Sequence, residues 1–339
     1  MSVAVCILAK DEAERISGIL AQIARQLLML DRGERVDIHV VANGCSDTTA
    51  ETARQAAALV ADHRARLHVH DLKAGGKSRA WNHAVHHLID PATEFIVFCD
   101  ADINFVDDGV VVRLLADLAQ SETLAVCSGY PIKNVSAKKN RTVLDRFSLA
   151  VSGRTRHVGA INGSLYAARA NCLADIWLPD DTPGEDGFLN AMVTTHGFTR
   201  PADATSVSTA PRPTHYFQAH DPLQFAGHER RMIVGTMINR WIFEHLWSLE
   251  LRTPAGPTID EWNRRDPEWV EKIIRRRSAK RHWLIPRAIL FGRLGGTQRR
   301  SLIKRVAYLP LAVAATLLTI PPAISANRRL KQIGAAKSW

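Results

Sequence analysis

Along the first 130 residues, short apolar runs rich in β-branched side chains alternate with longer stretches whose apolar positions recur at helical spacing. That alternation restricts the chain to repeated βα units, a Rossmann-like α/β architecture with a mostly parallel sheet and flanking helices. Val3 to Leu8 is the first strand. It precedes a helix pattern carrying Ile16, Ile19, Leu20, Ile23, Leu27 and Leu30, with Asp11, Glu12 and Glu14 near its start to suit the helix dipole. Val36 to Val41 predicts the second strand, and Ser46 or Asp47 caps a helix through Leu59. Leu67 to His70 reads as a brief third strand, Lys77 to Leu88 as a helix, and Phe95 to Cys99 as the fourth and most apolar strand. A helix near residues 109–118 and a strand over 124–127 complete the pattern.

In open parallel sheets, ligands sit at the carboxyl ends of strands, so the residues that follow each run carry the chemistry. These are Lys10, Asp11 and Glu12, then Asn43, Ser46 and Asp47, then Lys73, Gly76 and Lys77, then Asp100 and Asp102. Four polar strand ends in succession predict a converging pocket. The strongest local feature is Phe95-Ile-Val-Phe-Cys-Asp-Ala-Asp102, where an apolar strand runs into two carboxylates whose spacing points both to one side. Such hard oxygen donors suit Mg²⁺ or Mn²⁺ and leave coordination positions for phosphate oxygens. A second acidic pair, Glu185-Asp186, follows the turn-like segment 179–183. Two readings of it stand side by side: acidic capping of a helix, or a carboxylate base that takes a proton from an acceptor hydroxyl.

Two nucleotide-binding patterns fail. No G-x-G-x-x-G follows the first strand, and Gly76-Lys77-Ser78 has Asp71 where a P-loop needs its first glycine. His83, His86 and His87 lie on a helix among Ala and Leu neighbours, which suggests surface or packing roles. Five cysteines without C-x-x-C spacing argue against a disulfide framework and against a structural zinc site. Cys6, Cys99 and Cys127 lie in apolar runs, as reduced core thiols in a cytosolic setting do. The Val3 to Leu8 run is too short for a secretory signal, so a cytoplasmic protein is expected.

Charge divides the chain. Residues 1–227 hold 22 basic and 26 acidic side chains, a net −4, whereas residues 228–339 hold 22 basic and 8 acidic ones, a net +14. A basic tail of this kind points to a polyanionic partner, nucleic acid or an anionic membrane, against the plainer reading of a solvated basic face. After about residue 236 the alternation stops, and Trp241, Phe243, Leu246, Trp247, Leu249 and Leu251 form an aromatic segment of the kind found at membrane interfaces. Val306 to Asn327 then gives 22 residues without a charge, flanked by Lys304-Arg305 and Arg328-Arg329. Pro310, Pro321 and Pro322 interrupt it, which leaves a spanning segment, an interfacial helix and a buried hairpin all open.

Six segments, Val3 to Glu12, Val40 to Thr49, Gly76-Lys77 with Asn82, Asp100-Ala-Asp102, Ile161 to Arg169 and Glu185-Asp186, occur in an order that resembles the family 2 glycosyltransferases. These are inverting enzymes with the glycosyltransferase A fold, and the match runs over roughly residues 3–235. The resemblance implies nucleotide-sugar contacts at Ala9, Asp11, Glu12, Asn43, Lys77, Asn82, Asp100, Arg230 and Arg231. It implies a metal at Asp100 and Asp102, and catalysis at Asp186 with Glu185. Asp11 replaces the family's common Asn, and Trp81 a common Leu. Gln224 is followed by Phe-Ala-Gly-His-Glu-Arg-Arg231 instead of completing the Q-x-x-R-W of processive members, so transfer of one sugar per event is expected.

The implied organisation is a catalytic domain over residues 1–235 and a helical, basic, membrane-associating region over 236–339. The implied reaction moves a sugar from a nucleoside diphosphate donor to a hydroxyl acceptor, lipid-linked or saccharide, at the inner face of the cell membrane, with nucleic acid no longer the favoured partner. One rival is a nucleotidyltransferase, which needs a Gly-rich, Arg-containing loop after the first strand, where Ala9 to Arg15 holds no glycine. The other is an inactive transferase-like module, against which the intact acidic pairs count.

Overall fold

The computed structural model describes residues 2–30, 35–61, 65–138, 140, 142, 158–180, 182–218, 222–279, 281–295 and 302–333. Its central sheet has seven strands in the order β3-β2-β1-β4-β8-β6-β9, where β1 is Ser2–Ala9, β2 Arg35–Asn43, β3 Ala65–Leu72, β4 Phe95–Asp100, β6 Val126–Ser128, β8 Leu165–Arg169 and β9 Val207–Thr209. A second, three-stranded sheet pairs β5 (Asn104–Phe105), β10 (His215–Phe217) and β7 (Pro131–Lys133). Strands β3, β2, β1 and β4 run parallel, with Ile7 opposite Val40 and Cys99. The sequence-based strands are thus all present, and the sheet is mostly parallel as expected.

One strand departs from that simple series. β8 runs antiparallel to both β4 and β6 and lies between them, pairing Cys99 with Leu165 and Cys127 with Ala167. Local periodicity carries no information on this insertion, because the register is set by contacts between segments far apart in the chain.

Both faces of the sheet are covered, which is why β1 reads as one continuous apolar run. On one side Val3, Val5 and Ile7 join Ile16, Ile19, Leu20 and Ile23 of α1 (Ile16–Leu27) and Leu114 and Leu118 of α4 (Val110–Ala119). On the other side Cys6, Leu8 and Phe98 join α5 (Glu185–Thr194) and α6 (Pro222–Ser248) through Phe188, Leu189, Ile238 and Ile242. The front half also holds α2 (Thr49–Gln55) and α3 (Lys77–His83), the latter continued by a π-helical turn over Ala84–Leu88, and a short helical turn at Ala170–Leu173. α2 stops short of Leu59, and Ala58–Ala61 forms a separate helical turn that buries Val60. His86 has the packing role expected: it stacks on Trp177 at 3.8 Å and donates from Nε2 to the Ile176 carbonyl at 2.8 Å.

The C-terminal part is helical, with α7 (Gly256–Arg265), α8 (Trp269–Ser278), α9 (Arg287–Gly295) and α10 (Leu302–Gln332). Two expectations change here. The aromatic segment near 241–251 turns its heavy side inward: Trp241 and Leu246 are buried and Phe243 packs on Phe188 and Phe198, so Trp247 and Leu249 are the large apolar side chains it leaves exposed. The reason is that α6 roofs α5, and a helix that covers another must bury its own apolar side. Likewise, the three prolines do not break the uncharged segment, since α10 stays helical through Pro310, Pro321 and Pro322. Each costs one backbone hydrogen bond, and packing of the inner face holds the helix against that loss. No helix among the described residues is long and apolar enough to cross a membrane.

Arg169 closes the seam where β8 enters. Its guanidinium donates to the carbonyls of Leu118 (2.6 Å), Ser121 (3.0 Å) and Leu124 (3.0 Å), just where α4 ends, and lies over the Phe95 ring. A cation at a helix C-terminus satisfies carbonyls that have no helical partner. Arg169→Met is expected to lower unfolding free energy by about 2–3 kcal/mol, since charged hydrogen bonds to partly buried carbonyls are lost. Urea denaturation measures this, and an unchanged midpoint would show the carbonyls satisfied by solvent.

Candidate active site

The loops that follow β1, β2 and β3 are bound to one another, so the strand ends form a single rim. Asp11 sits at φ +54°, which turns its carboxylate back to accept from the Ser46 N–H at 2.6 Å and the Ser46 hydroxyl at 3.0 Å. Those bonds, the backbone one foremost, hold Asp11 below the usual carboxylate range. The Glu12 N–H donates to Thr49 Oγ1 at 2.8 Å, the Ala9 carbonyl accepts from the Cys45 thiol at 3.6 Å, and Lys10 reaches the Gly44 carbonyl at 2.6 Å. Asp47 accepts from the Ala13 and Thr49 N–H groups, linking the first loop to the start of α2. Gly44 has to be glycine: its φ is +62°, and a Cβ there would lie 2.5 Å from the Gly75 nitrogen. Asn43, buried at the end of β2, accepts from the Gly76 N–H at 2.8 Å, which ties the third loop to the second.

Below this rim, three charges from distant segments meet. Lys77, first residue of α3, places Nζ 2.8 Å from Asp100 Oδ1, 3.2 Å from Glu185 Oε1 and 3.3 Å from the Gly163 carbonyl. Asp100 ends β4, Gly163 precedes β8, and Glu185 opens α5. Burial pushes the Asp100 carboxyl up to about 6; Lys77 opposes the rise, and Asp102 and Glu185 add to it. Burial is the largest single influence on Glu185 and pushes its carboxyl up, but the Lys77 charge, a backbone hydrogen bond, the bond to Lys77 and the Arg231 charge together outweigh it and leave its pKa lowered. Asp186 is raised, first by burial and then by the Glu185 charge, and its Oδ1 accepts from the Gly187 N–H at 2.7 Å. Gly163 lies against this pair so closely that a Cβ would stand 3.1 Å from Asp186 Cβ. A narrow cavity beneath is floored by Trp81, Phe98 and Tyr166, stacked in sequence, with Trp81 Nε1 donating to Tyr166 Oη at 2.7 Å.

Asp102 is exposed and makes no ion pair or hydrogen bond among the described residues, though its charge reaches Arg15. The donor set suits a hard divalent cation: two carboxylates whose mutual repulsion raises Asp100, one of them facing solvent. Among the described residues no third carboxylate, His or Cys joins them in a cluster. A Mg²⁺ or Mn²⁺ ion here would keep its other positions for phosphate oxygens and water. The one three-residue cluster of that kind among the described residues, Asp11, Cys45 and Asp47, is engaged in the loop-tying bonds above.

Some site residues expected from the sequence have other partners. Asn82 is buried and brackets the segment before α5, donating to the Leu178 carbonyl at 2.9 Å and Asp180 at 3.2 Å while accepting from the Leu178 N–H at 2.8 Å. Arg231 lies exposed on α6 within electrostatic reach of Glu185, and Arg230 beside it is also exposed. Sequence reasoning missed the joint hold of Lys77 on both acidic motifs, and the aromatic floor. It also missed the pairing of Ser164 with buried His215 at 2.7 Å. The Trp81 that departs from the common Leu was the one visible sign of the floor.

Residues 4–173 match the family model of glycosyl transferase family 2. The chain belongs to that family. No curated protein matches its sequence. Among solved structures, the chain is similar to a mannosyltransferase from Pyrobaculum calidifontis in complex with GDP-Man and Mn²⁺, at 16% identity and a TM-score of 0.52 over 95% of this chain and 86% of that one. It is also similar to glucosyl-3-phosphoglycerate synthase from Mycobacterium tuberculosis in complex with Mn²⁺, UDP-Glc and phosphoglyceric acid (15% identity, TM-score 0.48, 70% and 79% covered). A third is TarS from S. aureus (14% identity, TM-score 0.46, 98% and 92% covered). At these identities the mannosyltransferase supports the fold of this family 2 chain and no more.

Removing the Lys77 charge is expected to leave Asp100 and Glu185 facing each other with reduced solvation. For Lys77→Met, both carboxyls rise above their unfolded values, so the folded state binds protons more tightly and loses stability as pH increases through those values. The cost should be about 2 kcal/mol at pH 8, less than the 3–5 of a fully buried pair because the ammonium keeps partial contact with water, and smaller at pH 5. Unfolding curves at the two pH values test this; a pH-independent loss would indicate a packing effect instead.

Proposed function

We propose that this family 2 glycosyltransferase is an inverting enzyme that moves one sugar from a nucleoside diphosphate donor to a hydroxyl acceptor. The observation that carries the reading is the meeting of Asp100, Glu185 and Asp186 around Lys77 at the carboxyl ends of the strands. The mannosyltransferase of the same fold supports the donor class, since its structure holds GDP-Man together with Mn²⁺. Asp102, with Asp100, would hold Mg²⁺ or Mn²⁺, which supplies positive charge against the diphosphate.

The roles of the chain's own residues follow from their surroundings. Asp186 takes the proton of the acceptor hydroxyl as its oxygen attacks the anomeric carbon, and the bond to the diphosphate breaks with its electrons leaving on the phosphate oxygen. Attack from the face opposite the leaving group inverts the anomeric centre. Burial and the Glu185 charge raise Asp186, which makes it a stronger base than an exposed carboxylate. Lys77 fixes Glu185, and so the start of α5, relative to Asp100. Arg231 adds positive charge on the side of α6. The tied loops carrying Ala9, Asp11, Glu12 and Asn43 form the nucleoside end of the pocket, with Asn43 shaping the third loop through Gly76.

A cleft beside Asp186 offers the acceptor a path. It is lined by Gly187, Thr236, Asn239, Arg240, Phe243 and Trp247, with Glu244 paired to Arg240 and Arg277. Mixed polar and aromatic walls of this kind suit a saccharide or the sugar head of a lipid-linked acceptor. The basic tail favours an acceptor presented at an anionic membrane surface, and five free cysteines accord with the cytoplasmic face.

A panel of nucleotide sugars, scored for metal-dependent release of nucleoside diphosphate, tests the reading. Asp102→Asn should abolish that release. Asp186→Asn should lower kcat by about 10²–10⁴-fold with donor affinity little changed. The wild-type rate should rise with pH through the Asp186 ionisation and then level off, because the base acts only when deprotonated. Full turnover by Asp186→Asn would remove the base, and release that ignores metal chelation would remove the metal assignment.

A further inference from the structure

α10 has two unlike faces. Ala315, Thr316, Thr319, Ala323, Ala326, Asn327 and Leu330 are buried, packed toward α6, α8 and α9. On the outer face Leu309, Val313, Leu317, Leu318, Ile320 and Ile324 are between 39 and 60% exposed, and from Leu309 to Ile324 that face carries no charged residue. At about 1.5 Å per residue these positions form an apolar strip roughly 22 Å long. A soluble surface seldom leaves so many large aliphatic side chains in line.

The surroundings of the strip say what covers it. From Lys272 to the end of the chain the sequence holds 16 basic residues and not one acidic residue. Arg328 and Lys331 are exposed just beyond the strip, and Arg281 and Arg287 are exposed on the segment and helix that pack beside it. Asn327 fastens that segment to α10, accepting from the Leu284 N–H at 2.7 Å, next to Trp283, which is 44% exposed. Aliphatic strip, neighbouring aromatic and exposed positive charge at Arg281, Arg287, Arg328 and Lys331 together match the boundary of an anionic bilayer.

We infer that α10 lies in the plane of an anionic membrane with Leu309 to Ile324 inserted below the headgroups, so that the enzyme is held on one leaflet without a spanning segment. This deepens the membrane-presented acceptor proposed above and rests on it for its purpose, but it stands on the α10 face alone. Apolar insertion and basic attraction act as the two signals that stable peripheral attachment requires.

Co-sedimentation of the full-length protein with vesicles tests it, using phosphatidylcholine alone and phosphatidylcholine with about a third phosphatidylglycerol. The wild type should bind the anionic vesicles. The double variant Leu317→Glu/Ile320→Glu should bind at least tenfold more weakly while keeping its melting temperature and its release of nucleoside diphosphate with a soluble acceptor. Arg328→Glu/Lys331→Glu should weaken binding at low salt, and the difference should shrink near 1 M salt, where the screening length falls to about 3 Å. Unchanged binding of the Leu317→Glu/Ile320→Glu protein would overturn the α10 assignment and leave the membrane reading intact. No binding of the wild type to either vesicle would overturn both. A wild-type dimer that this variant dissociates, without vesicle binding, would assign the face to a second copy and overturn the proposal.

Discussion

The ammonium of Lys77 is the interaction on which the site depends. Asp100 and Glu185 are 85 positions apart in sequence and come from the end of β4 and the start of α5, two elements that do not pair with each other. Like charges brought that close repel, and burial removes the water that would screen them. One cation at the first residue of α3 turns the repulsion into a bond across three elements, with the Gly163 carbonyl as a fourth point of contact. Because Asp186 follows Glu185 directly, its position is fixed by the same contact. The geometry of the candidate site is in this sense an electrostatic assembly resting on a packed sheet.

Backbone contacts secure the rim in a complementary way. The loops after β1, β2 and β3 share hydrogen bonds from Asp11, Asn43, Asp47 and Thr49, and Gly44 lets two of them approach within contact distance of their backbones. Side chains that point at neighbouring loops are not free to adapt to a ligand, which keeps the pocket preformed and lowers the ordering cost of binding. The restraint runs in the same direction as Lys77: strand ends first, then the two acidic motifs.

Much of this was legible in the sequence. The four parallel strands and their polar ends follow from apolar runs of strand length, and Asp100-x-Asp102 stood out because it terminates the most apolar of them. Partnerships across distance were not legible. Periodicity says that Lys77 begins a helix but is silent on which carboxylates it meets, and it cannot place β8 between β4 and β6. The order of Asn43 and Asn82 in the chain likewise does not reveal the backbone they hold: Asn43 accepts from the Gly76 N–H and Asn82 brackets Leu178, choices set by tertiary neighbours. The prolines of α10 mislead for a related reason: their local cost is real, but the packed inner face of a long helix outweighs it.

α6 connects the two halves of the argument. Asn239 on this helix donates to the Gly184 carbonyl at 2.7 Å, immediately before Glu185, and Gly235 packs against Pro183 so closely that a Cβ would lie 2.8 Å from its carbonyl oxygen. The same helix packs along α10 through the buried residues of a single core that includes Phe98, Ile238, Ile242, Ala323 and Leu330. A helix packed at both places leaves little room for independent rotation, since cores of this density do not deform continuously. The orientation of the acidic pair is therefore fixed relative to the outer face of α10. If that face lies on a bilayer, the cleft beside Asp186 is held at a set height and angle above it, and the acceptor need not search for the site from bulk solution.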